Sequence, residues 1–463
     1  MLLIQKKLGM RRHILVFIDH DIMIRHFLHN NTFSEFEKHY EVQYVFPLYD
    51  KRVKSDVDSL GLKSIVKIPV NRARLGKLRQ LAKIQGMYID RKKKRKYHRS
   101  QTWRMMFGFR RYLRMWIKSL PGVFLLYRKT VINNEGIYPE MEQAINDFSP
   151  DMILHPTVLE GLFIYDLAFL SQKKQIPFVA LMNSWDNPST KAQVVKSPDY
   201  LVVWGEQTKQ HAIDFLGMKP EQVKIMGAAQ FEVYRQQPTK TREEICQLLG
   251  INTRKKLIVY AGSSKSINEM EHLNYLENAI EDSELKDCHI VFRPHPWRAP
   301  AEGEPDFYDI SWKHVSMDPT MREFYNSPKQ KDDLKMNLTD YMDTHNILSA
   351  ADVLVSNVST ILLEAALHGK PVLCMVSNKD LRGNAFLRQV NDSLYFQELL
   401  QKLEIPRCKD HKDLPELCRK LLDLGELPSF RKEQLEKVRF FVDQGVEPYP
   451  VKLCKFVQEI LSN

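Results

Sequence analysis

Short apolar runs alternate with longer helix-like segments along most of this 463-residue chain, and no other sequence feature constrains its fold as strongly. The runs are rich in Val, Ile and Leu without polar alternation, which is typical of parallel strands covered on both faces. Parallel strands joined by helices form right-handed βαβ units. The runs occupy residues 13–18, 42–46, 64–68, 152–154, 178–181 and 200–203 in the first half, and 256–260, 289–292, 353–355 and 371–374 in the second.

The length predicts more than one domain, because single hydrophobic cores stop growing beyond about 250–300 residues. A polar segment, 234–240, follows the sixth apolar run and has the composition of a linker. We therefore predict an α/β protein with two Rossmann-like domains, 1–233 and 241–429, whose parallel sheets face a cleft. A final helix over 430–463 is expected to pack back across both domains. Ligands of such sheets bind at the carboxyl ends of the strands.

The composition excludes several classes of protein. No apolar stretch approaches the length that a bilayer span requires, and 27% of the residues are charged. The first residues, MLLIQKKLGMRRH, carry charges where a signal peptide needs an apolar core, so we expect a cytoplasmic protein. The six cysteines form no C-x-x-C pair, which favours buried free thiols over disulfides or a metal site.

A strongly basic segment begins at Arg72 and ends at Lys118, and it contains 17 Lys or Arg residues and one acid, Asp90. We interpret it as an insertion that binds an anionic membrane surface, on the inner face of the cytoplasmic membrane, or a lipid-linked acceptor. A solvated insertion and a nucleic-acid surface are the alternatives; no nucleic-acid motif is present, so nucleic acid is not an expected partner. Helical spacing places one set of apolar side chains near a single face: Trp103, Phe107, Phe109, Leu113, Trp116 and Ile117.

Three loops that follow strands in the second half have the composition of a phosphate site. The first follows residues 256–260 and combines a glycine, which lets a ligand approach the backbone closely, with hydroxyl and amino groups that can bond phosphate oxygens. A turn after a strand also favours Gly and Ser, so this loop is a weak signal by itself. Its candidate ligand-binding residues are Gly262, Ser263, Ser264 and Lys265.

The second loop places His295 between Pro294 and Pro296, which stiffen the backbone and fix the direction of the imidazole. Arg293 and Arg298 flank the histidine, and guanidinium groups favour an anionic phosphate as the partner. We predict that Arg293 and His295 contact a donor phosphate. The alternative is a structural histidine with satisfied hydrogen bonds.

The third loop joins the strand at 353–355 to a helix that begins near Ser359 and Thr360. Free backbone N–H groups at a helix start can bind phosphate without a cationic side chain. Glu364 lies one turn further along, on the same side as Thr360, and can accept hydrogen bonds from ribose hydroxyls. We predict that these three side chains contact the nucleotide.

The stretch S-x-x-S-T…E-A-x-x-x-G-K-P-V, residues 356–372, resembles the donor half of GT-B glycosyltransferases. Together with His295-Pro296 it is similar to bacterial sialyl- and Kdo-transferases and to CDP-glycerol glycerophosphotransferases. That resemblance implies that His295 contacts donor phosphate and that Ser359 and Thr360 carry the roles of the family's serines. Residues 183–191, 198–206 and 225–231 resemble GT-B proteins of bacterial surface-polysaccharide loci.

An acceptor hydroxyl needs a general base, which the first domain is expected to supply. The candidates are Asp21 after the first strand, Glu160 after the fourth, and Asp186 in a Trp-Asp-Asn turn. A helix cap for Asp19 or Asp21, and an Asx-turn for Asp186, are the structural alternatives. The resemblance to GT-B enzymes implies that no metal or other cofactor is required beyond the nucleotide-sugar donor.

These observations predict a glycosyltransferase that moves a sugar from a nucleotide-activated donor to a glycan or lipid-linked acceptor in surface-polysaccharide synthesis. One alternative is a UDP-sugar 2-epimerase. Those isomerases resemble this chain from Glu364 to Pro371 but carry a Gly-Gly pair where this chain has Val358-Ser359. Another alternative is a non-catalytic, nucleotide-binding scaffold.

Overall fold

A computed structural model describes residues 11–92, 98–190, 192–264, 267–298, 300–326 and 340–462, except the side chains of 98–103, 105 and 106. The first ten residues, Lys265 and the Trp103 side chain, on which some of the predictions depend, lie outside it. The chain divides into two compact units. The N-terminal unit is Met1–Glu232 with Phe441–Asn463, and the C-terminal unit is Val233–Phe440.

The N-terminal unit is built on a seven-stranded parallel sheet in the order β3-β2-β1-β4-β5-β6-β7. Its first strand, β1, pairs with both β2 and β4. Strands β2 and β3 are therefore added on one side of β1, and strands β4 to β7 on the other. The strands are β1 (His13–Phe17), β2 (Glu41–Pro47), β3 (Ile65–Ile68), β4 (Met152–Thr157), β5 (Phe178–Met182), β6 (Tyr200–Val203) and β7 (Val223–Ile225).

The helices of the N-terminal unit follow the strands as crossovers, and the last comes from the end of the chain. They are α1 (Asp21–Met23), α2 (Ser34–His39), α3 (Arg72–Lys92), α4 (His98–Lys118), α5 (Pro121–Glu135), α6 (Pro139–Phe148), α7 (Ile164–Lys174), α8 (Glu206–His211) and α19 (Tyr449–Ser462). Leu453 and Val457 of α19 are fully buried in the same hydrophobic core as Ile14 and Val16 of β1. The end of the chain therefore completes the N-terminal core.

The C-terminal unit repeats this plan with a six-stranded parallel sheet in the order β10-β9-β8-β11-β12-β13. Here β8 pairs with both β9 and β11, so the change of direction lies between β8 and β11. The strands are β8 (Lys256–Ala261), β9 (Cys288–Arg293), β10 (Val315–Met317), β11 (Val353–Ser356), β12 (Val372–Met375) and β13 (Arg407–Cys408).

Helices cover both faces of this second sheet and bury its strands. They are α9 (Arg242–Leu249), α10 (Glu269–Glu281), α11 (Arg322–Asn326), α12 (Tyr341–Ala350), α13 (Ile361–Leu367), α14 (Asn378–Gly383), α15 (Ala385–Asn391), α16 (Leu394–Lys402), α17 (Leu414–Gly425) and α18 (Pro428–Val438). The predicted class, α/β with two Rossmann-like domains and parallel sheets, is confirmed. All six cysteines are buried and free, as predicted.

Two features differ from the sequence-based expectation. The single helix expected over 430–463 is two helices, α18 and α19, which belong to different units. The segment from Arg72 to Lys118 is not wholly an exposed insertion, because Leu75, Leu78 and Leu81 of α3 are buried. The net charge of the segment does not reveal this apolar face of α3.

Gly227 offers a test of how the end of the chain is held. Its φ is +93°, and an added Cβ would collide with the carbonyl oxygen of Asp443, whose N–H donates to Trp204 O at 2.8 Å. Gly227→Ala should therefore destabilise the protein by about 2 kcal/mol or more in urea unfolding, through backbone strain and the displaced segment. Gly61→Ala is the matched control, since φ is +70° there and the added Cβ meets nothing within 4 Å. Equal losses in both variants would contradict the steric account.

Candidate functional site

The carboxyl edge of the C-terminal sheet carries the three predicted donor loops. They follow β8, β9 and β11, which are neighbours in the sheet, so all three loops emerge at one edge. From β8 the chain continues to β9 on one side, and from β11 it continues to β12 on the other, so the position between β8 and β11 is a topological switch point. Open parallel sheets bind ligands at such points.

The first loop is held by a buried carboxylate at the start of α10. Glu269 accepts a hydrogen bond from the backbone N–H of Ser263, and a Cβ added to Gly262 would lie 2.7 Å from its Oε1. Burial raises the pKa of Glu269 to about 7, although Arg298 acts in the opposite direction. A side chain at position 262 would collide with Glu269, so this position requires glycine. No sequence motif predicts that contact. Ser264 is half-buried in the same loop.

Both arginines of the second loop are buried and donate hydrogen bonds to other residues of the protein. Arg293 donates to Thr344 Oγ1 at 2.9 Å and also pairs with Asp318. Arg298 donates from Nε to Glu269 Oε2 at 3.0 Å. These bonds stiffen the loop, and the phosphate contact predicted for Arg293 stays a prediction.

His295 lies half-buried at the tip of the second loop. Its Nδ1 accepts a hydrogen bond from the backbone N–H of Trp297 at 2.9 Å. An accepting Nδ1 in a neutral imidazole means that the proton is on Nε2. His295 is therefore oriented to present an N–H donor at the carboxyl end of β9.

The third loop contains a buried side chain whose hydrogen bonds are not made. Asn357 is fully buried, and neither its Oδ1 nor its Nδ2 has a partner among the described residues. Ser359 and Thr360, next along the chain, are half-exposed. A buried amide without partners is costly, and such exceptions need an explanation such as a bound group.

Glu364, the predicted ribose ligand, is half-buried on α13 and accepts a hydrogen bond from the Tyr234 hydroxyl. The Tyr234 ring packs against His368, with ring centroids 4.6 Å apart. This contact orients the carboxylate before any ligand binds. Sequence spacing could not reveal it, because Tyr234 precedes the strands of its unit.

The N-terminal sheet has its own switch point between β1 and β4, and two buried polar side chains lie there. His155 is fully buried and donates its Nδ1–H to Phe17 O at 2.9 Å, which leaves Nε2 as an acceptor. Burial lowers the pKa of His155, so the ring is neutral at pH 7. Its Nε2 lies 3.7 Å from Oδ2 of the fully buried Asp19.

This arrangement places two acceptors side by side. Neither His155 Nε2 nor Asp19 Oδ1 has a hydrogen-bond partner among the described residues, while Asp19 Oδ2 accepts from Leu162 N–H. A donor group, such as a hydroxyl, is therefore the missing partner. Leu159, in the loop after β4, is held at φ 59°, an uncommon conformation for a branched residue.

Each of the three predicted bases is bonded to other groups of the protein. Asp21 accepts backbone N–H bonds from Lys54 at 3.0 Å and Ser55 at 3.1 Å, so it fixes that loop. Asp186 accepts from Ser184 Oγ at 2.6 Å within its turn. The cap of α1 is His20, so the helix-cap alternative for Asp21 is wrong. The bond from Ser184 is also not the backbone bond of an Asx-turn.

Glu160 forms an ion pair with Lys83 Nζ at 2.8 Å, and Lys83 is largely buried. Arg79, one turn before Lys83 on α3, donates to the carbonyl oxygen of Glu160 at 3.1 Å. Two cations of the basic segment therefore line the loop after β4 instead of a surface. The spacing of four residues between them, which places both on one face of α3, was the sequence signal for this shared contact.

The second half of the basic segment carries an exposed apolar surface. Gly108, with φ 71° and ψ 162°, interrupts α4, so the single continuous face predicted for its aromatics is wrong. Phe107 lies beneath Lys83, whose Nζ is 4.7 Å from the ring centroid. The side chains that stay exposed, on α4 and α5, are Phe109, Leu113, Trp116, Ile117, Val123, Leu125 and Leu126.

A cavity of about 680 Å³ adjoins this surface, and Phe107, Arg111 and Lys118 are among the residues that line it. Arg91 stacks over Trp116 at 4.4 Å from the ring centroid. Within the ranges that the structure describes, no helix has both the length and the apolar character needed to cross a membrane.

No protein-family model matches the sequence, and no curated protein does. A Listeria monocytogenes protein proposed to be a UDP-N-acetylglucosamine 2-epimerase aligns with a TM-score of 0.55 at 10% identity, over 97% of this chain and 96% of that chain. UDP-GlcNAc 2-epimerase from Neisseria meningitidis, bound to UDP-GlcNAc, aligns with a TM-score of 0.52 at 12% identity, over 97% and 100%. The wall teichoic acid polymerase TagF aligns with a TM-score of 0.47 at 10% identity, over 98% and 89%.

At these identities the two epimerase matches show the fold and not the reaction. The TagF score is too low to add an argument. Structural similarity and the two parallel sheets together establish that the chain has the predicted GT-B fold.

Proposed function

We propose that this chain transfers a sugar, or a similar unit, from a nucleotide-activated donor to a glycan or lipid-linked acceptor in surface-polysaccharide synthesis. The observation that carries the proposal is the presence, at both topological switch points, of buried polar atoms that have no hydrogen-bond partner within the described part of the chain. Asn357 lies at one, and Asp19 with His155 at the other. Buried groups of this kind are expected where a substrate completes their hydrogen bonds.

In the C-terminal unit the donor phosphate is assigned to the loops after β9 and β11. His295 presents its Nε2–H, and Ser359 and Thr360 present hydroxyls and backbone N–H groups. Donors already held in place stabilise negative charge as it develops on the leaving phosphate. Glu364, oriented by Tyr234, would accept from the ribose hydroxyls.

In the N-terminal unit the base is assigned to Asp19, with His155 as its neighbour. An acceptor hydroxyl that donates to Asp19 Oδ1 would supply the missing partner and place its proton on a carboxylate. Asp21 and Asp186 are less suited, because backbone or side-chain donors already occupy them. Glu160, paired with Lys83, is assigned to positioning.

The second candidate is a UDP-sugar 2-epimerase, which the same fold can host. Val358 and Ser359 in place of a Gly-Gly pair argue against it. The two reactions differ in products: a transferase releases nucleotide from the donor, whereas an epimerase returns an altered nucleotide sugar. Incubation with CMP-, CDP-, UDP- and GDP-activated donors, followed by chromatography, separates them. Conversion to an epimer without nucleotide release would overturn the transferase proposal.

Donor-loop variants test the assignment of the nucleotide site. Thr360→Ala and Glu364→Ala should stay folded and bind nucleotide about tenfold or more weakly, because each loses hydrogen bonds to a charged group worth ~1.5–3 kcal/mol. His295→Ala should lower kcat more than donor affinity, since its help to the leaving phosphate is felt mainly in the transition state. Calorimetry and steady-state kinetics measure both effects. Unchanged affinity in the first two variants, or an unchanged kcat in the third, would contradict the site.

A paired substitution tests the base. Asp19→Asn preserves shape and should lower kcat about a hundredfold or more, the usual contribution of general base catalysis. Asp21→Asn should mainly lower thermal stability, because its carboxylate fixes the backbone at Lys54 and Ser55. Thermal unfolding of both variants separates catalysis from folding. If Asp21→Asn loses as much turnover as Asp19→Asn, the assignment is wrong.

We also infer that the exposed apolar surface of α4 and α5 binds an anionic membrane. Phe109 and Leu126 are 61% and 68% exposed, and the exposed arginines Arg110, Arg111 and Arg114 lie beside Phe109 in the sequence. Apolar side chains at the headgroup boundary with neighbouring cations are typical of interfacial helices. The acceptor would then be a lipid-linked glycan at that surface.

Sedimentation with vesicles tests this inference. The protein should pellet with phosphatidylglycerol vesicles and stay in solution with phosphatidylcholine vesicles. Binding should weaken as salt rises, because the Debye length falls from about 10 Å at 0.1 M to about 3 Å at 1 M. Phe109→Ser with Leu126→Ser should weaken binding, whereas Leu427→Ser, a 51% exposed leucine of the C-terminal unit, should not. Equal recovery in both supernatants would make the surface a solvated one.

A further inference from the structure

The C-terminal unit brings together two histidines and an aspartate that are far apart in sequence. His272 is on α10, Asp380 on α14, and His411 on a short 3-10 turn, His411–Asp413, that follows β13. Their ligand atoms all lie within 4.8 Å of one another. His272 is fully buried, and the Asp380 and His411 side chains are only 7% and 6% exposed. None of the three donor loops contributes a residue.

The separations between the three ligand atoms comprise one hydrogen-bond distance, between the two histidines, and two longer distances to Asp380. The two Nε2 atoms are 3.1 Å apart, and Asp380 Oδ2 lies 3.6 Å from His272 Nε2 and 3.9 Å from His411 Nε2. Distances of 3.6 Å and more are too long for hydrogen bonds. Two ligands of one tetrahedral zinc ion, at bonds of about 2.0–2.1 Å, lie about 3.3 Å apart.

The same three distances fix where a shared ion would lie. The point equidistant from atoms with these separations is about 2.1 Å from each, which matches zinc–nitrogen and zinc–oxygen bonds of about 2.0–2.2 Å. The spacing of the three ligand atoms is thus compatible with one shared ion.

Each ligand also has an outer partner that holds it in this orientation. Tyr260 Oη is 2.6 Å from His272 Nδ1, and Glu271 Oε1 is 3.2 Å from His411 Nδ1. Ser377 Oγ donates to Asp380 Oδ2 at 2.6 Å. The Glu271 carboxylate accepts from His411 Nδ1, which leaves Nε2 of that ring for a metal, and the Tyr260 hydroxyl can accept from His272 Nδ1 in the same way.

We propose that His272, Asp380 and His411 bind a divalent transition-metal ion of the zinc class. Three protein ligands leave the fourth position of a tetrahedral ion to water or an outside ligand. The cysteine spacing and the resemblance to GT-B enzymes had predicted no metal, and residues 272, 380 and 411 are far apart in the sequence. The ion joins α10 to the segments that follow β12 and β13. It lies outside the proposed transferase site, so the two proposals stand separately.

The test uses the full-length protein with ZnCl₂ or CoCl₂ alone, followed by removal of unbound metal and elemental analysis. We expect one ion per chain, the visible absorption of tetrahedral Co²⁺, and a lower melting temperature after treatment with a chelator. His272→Ala and His411→Ala should abolish retention. Glu271→Gln keeps all three ligands and should weaken binding about 10- to 100-fold.

His345→Ala is the matched control. His345 also faces a histidine, with its Nδ1 2.8 Å from His368 Nε2, but the outer nitrogens of that pair bond backbone carbonyl oxygens. This variant should retain the ion. If a histidine ligand variant fails to fold by circular dichroism, Asp380→Asn and Glu271→Gln provide the comparison. A wild-type protein that retains no metal, or ligand variants that retain as much as His345→Ala, would overturn the proposal.

Discussion

The structure depends on one constraint, which is that the first strand of each sheet pairs in parallel with neighbours on both sides. β1 lies between β2 and β4, and β8 lies between β9 and β11. These strands are buried on both faces, so they can carry polar chemistry only where they end. At the carboxyl ends the chain departs in opposite directions, which leaves room for polar groups beside the loops. Asp19, His155 and Asn357 lie at these two positions because of the connectivity of the sheets.

The sequence predicted the central strands and the edge strand β3, but it missed the other three edge strands for a physical reason. Central strands need apolar residues at every position, whereas β7 and β10 have three residues and β13 has two, too short to form a recognisable run. The donor loops were predictable for the same reason, since they follow central strands. Their internal contacts were not: Glu269 against Gly262, and Tyr234 against Glu364, join residues whose proximity depends on the folded unit.

The acidic residues after β1 show where sequence reasoning reached its limit. Asp19 and Asp21 are two positions apart, and nothing in the composition around them distinguishes one from the other. In the structure Asp21 accepts backbone N–H groups at a partly exposed turn, whereas Asp19 is fully buried beside a neutral histidine. The choice between them depends on β4, which supplies His155 more than a hundred residues later. The prediction that the basic segment is an exposed insertion had the same limit. Its mean charge does not reveal that Arg79 and Lys83 face the loop after β4.

One helix connects the donor loops to the histidine cluster, and this connection follows from helical geometry. Glu269, in the first turn of α10, holds the first loop through Ser263 and the second through Arg298. His272 is three residues further on, so it lies one turn away on a neighbouring face. Leu273 and Leu276 fix the depth of α10 against the sheet, because both are fully buried in its core. Apolar packing alone leaves sliding along the helix axis weakly opposed, since dispersion contacts are not directional. The hydrogen bond between His272 and His411, 3.1 Å between their Nε2 atoms, is directional and opposes that sliding by joining α10 to the segment after β13. The position of the loops after β8 and β9 thus depends in part on the opposite half of the same sheet.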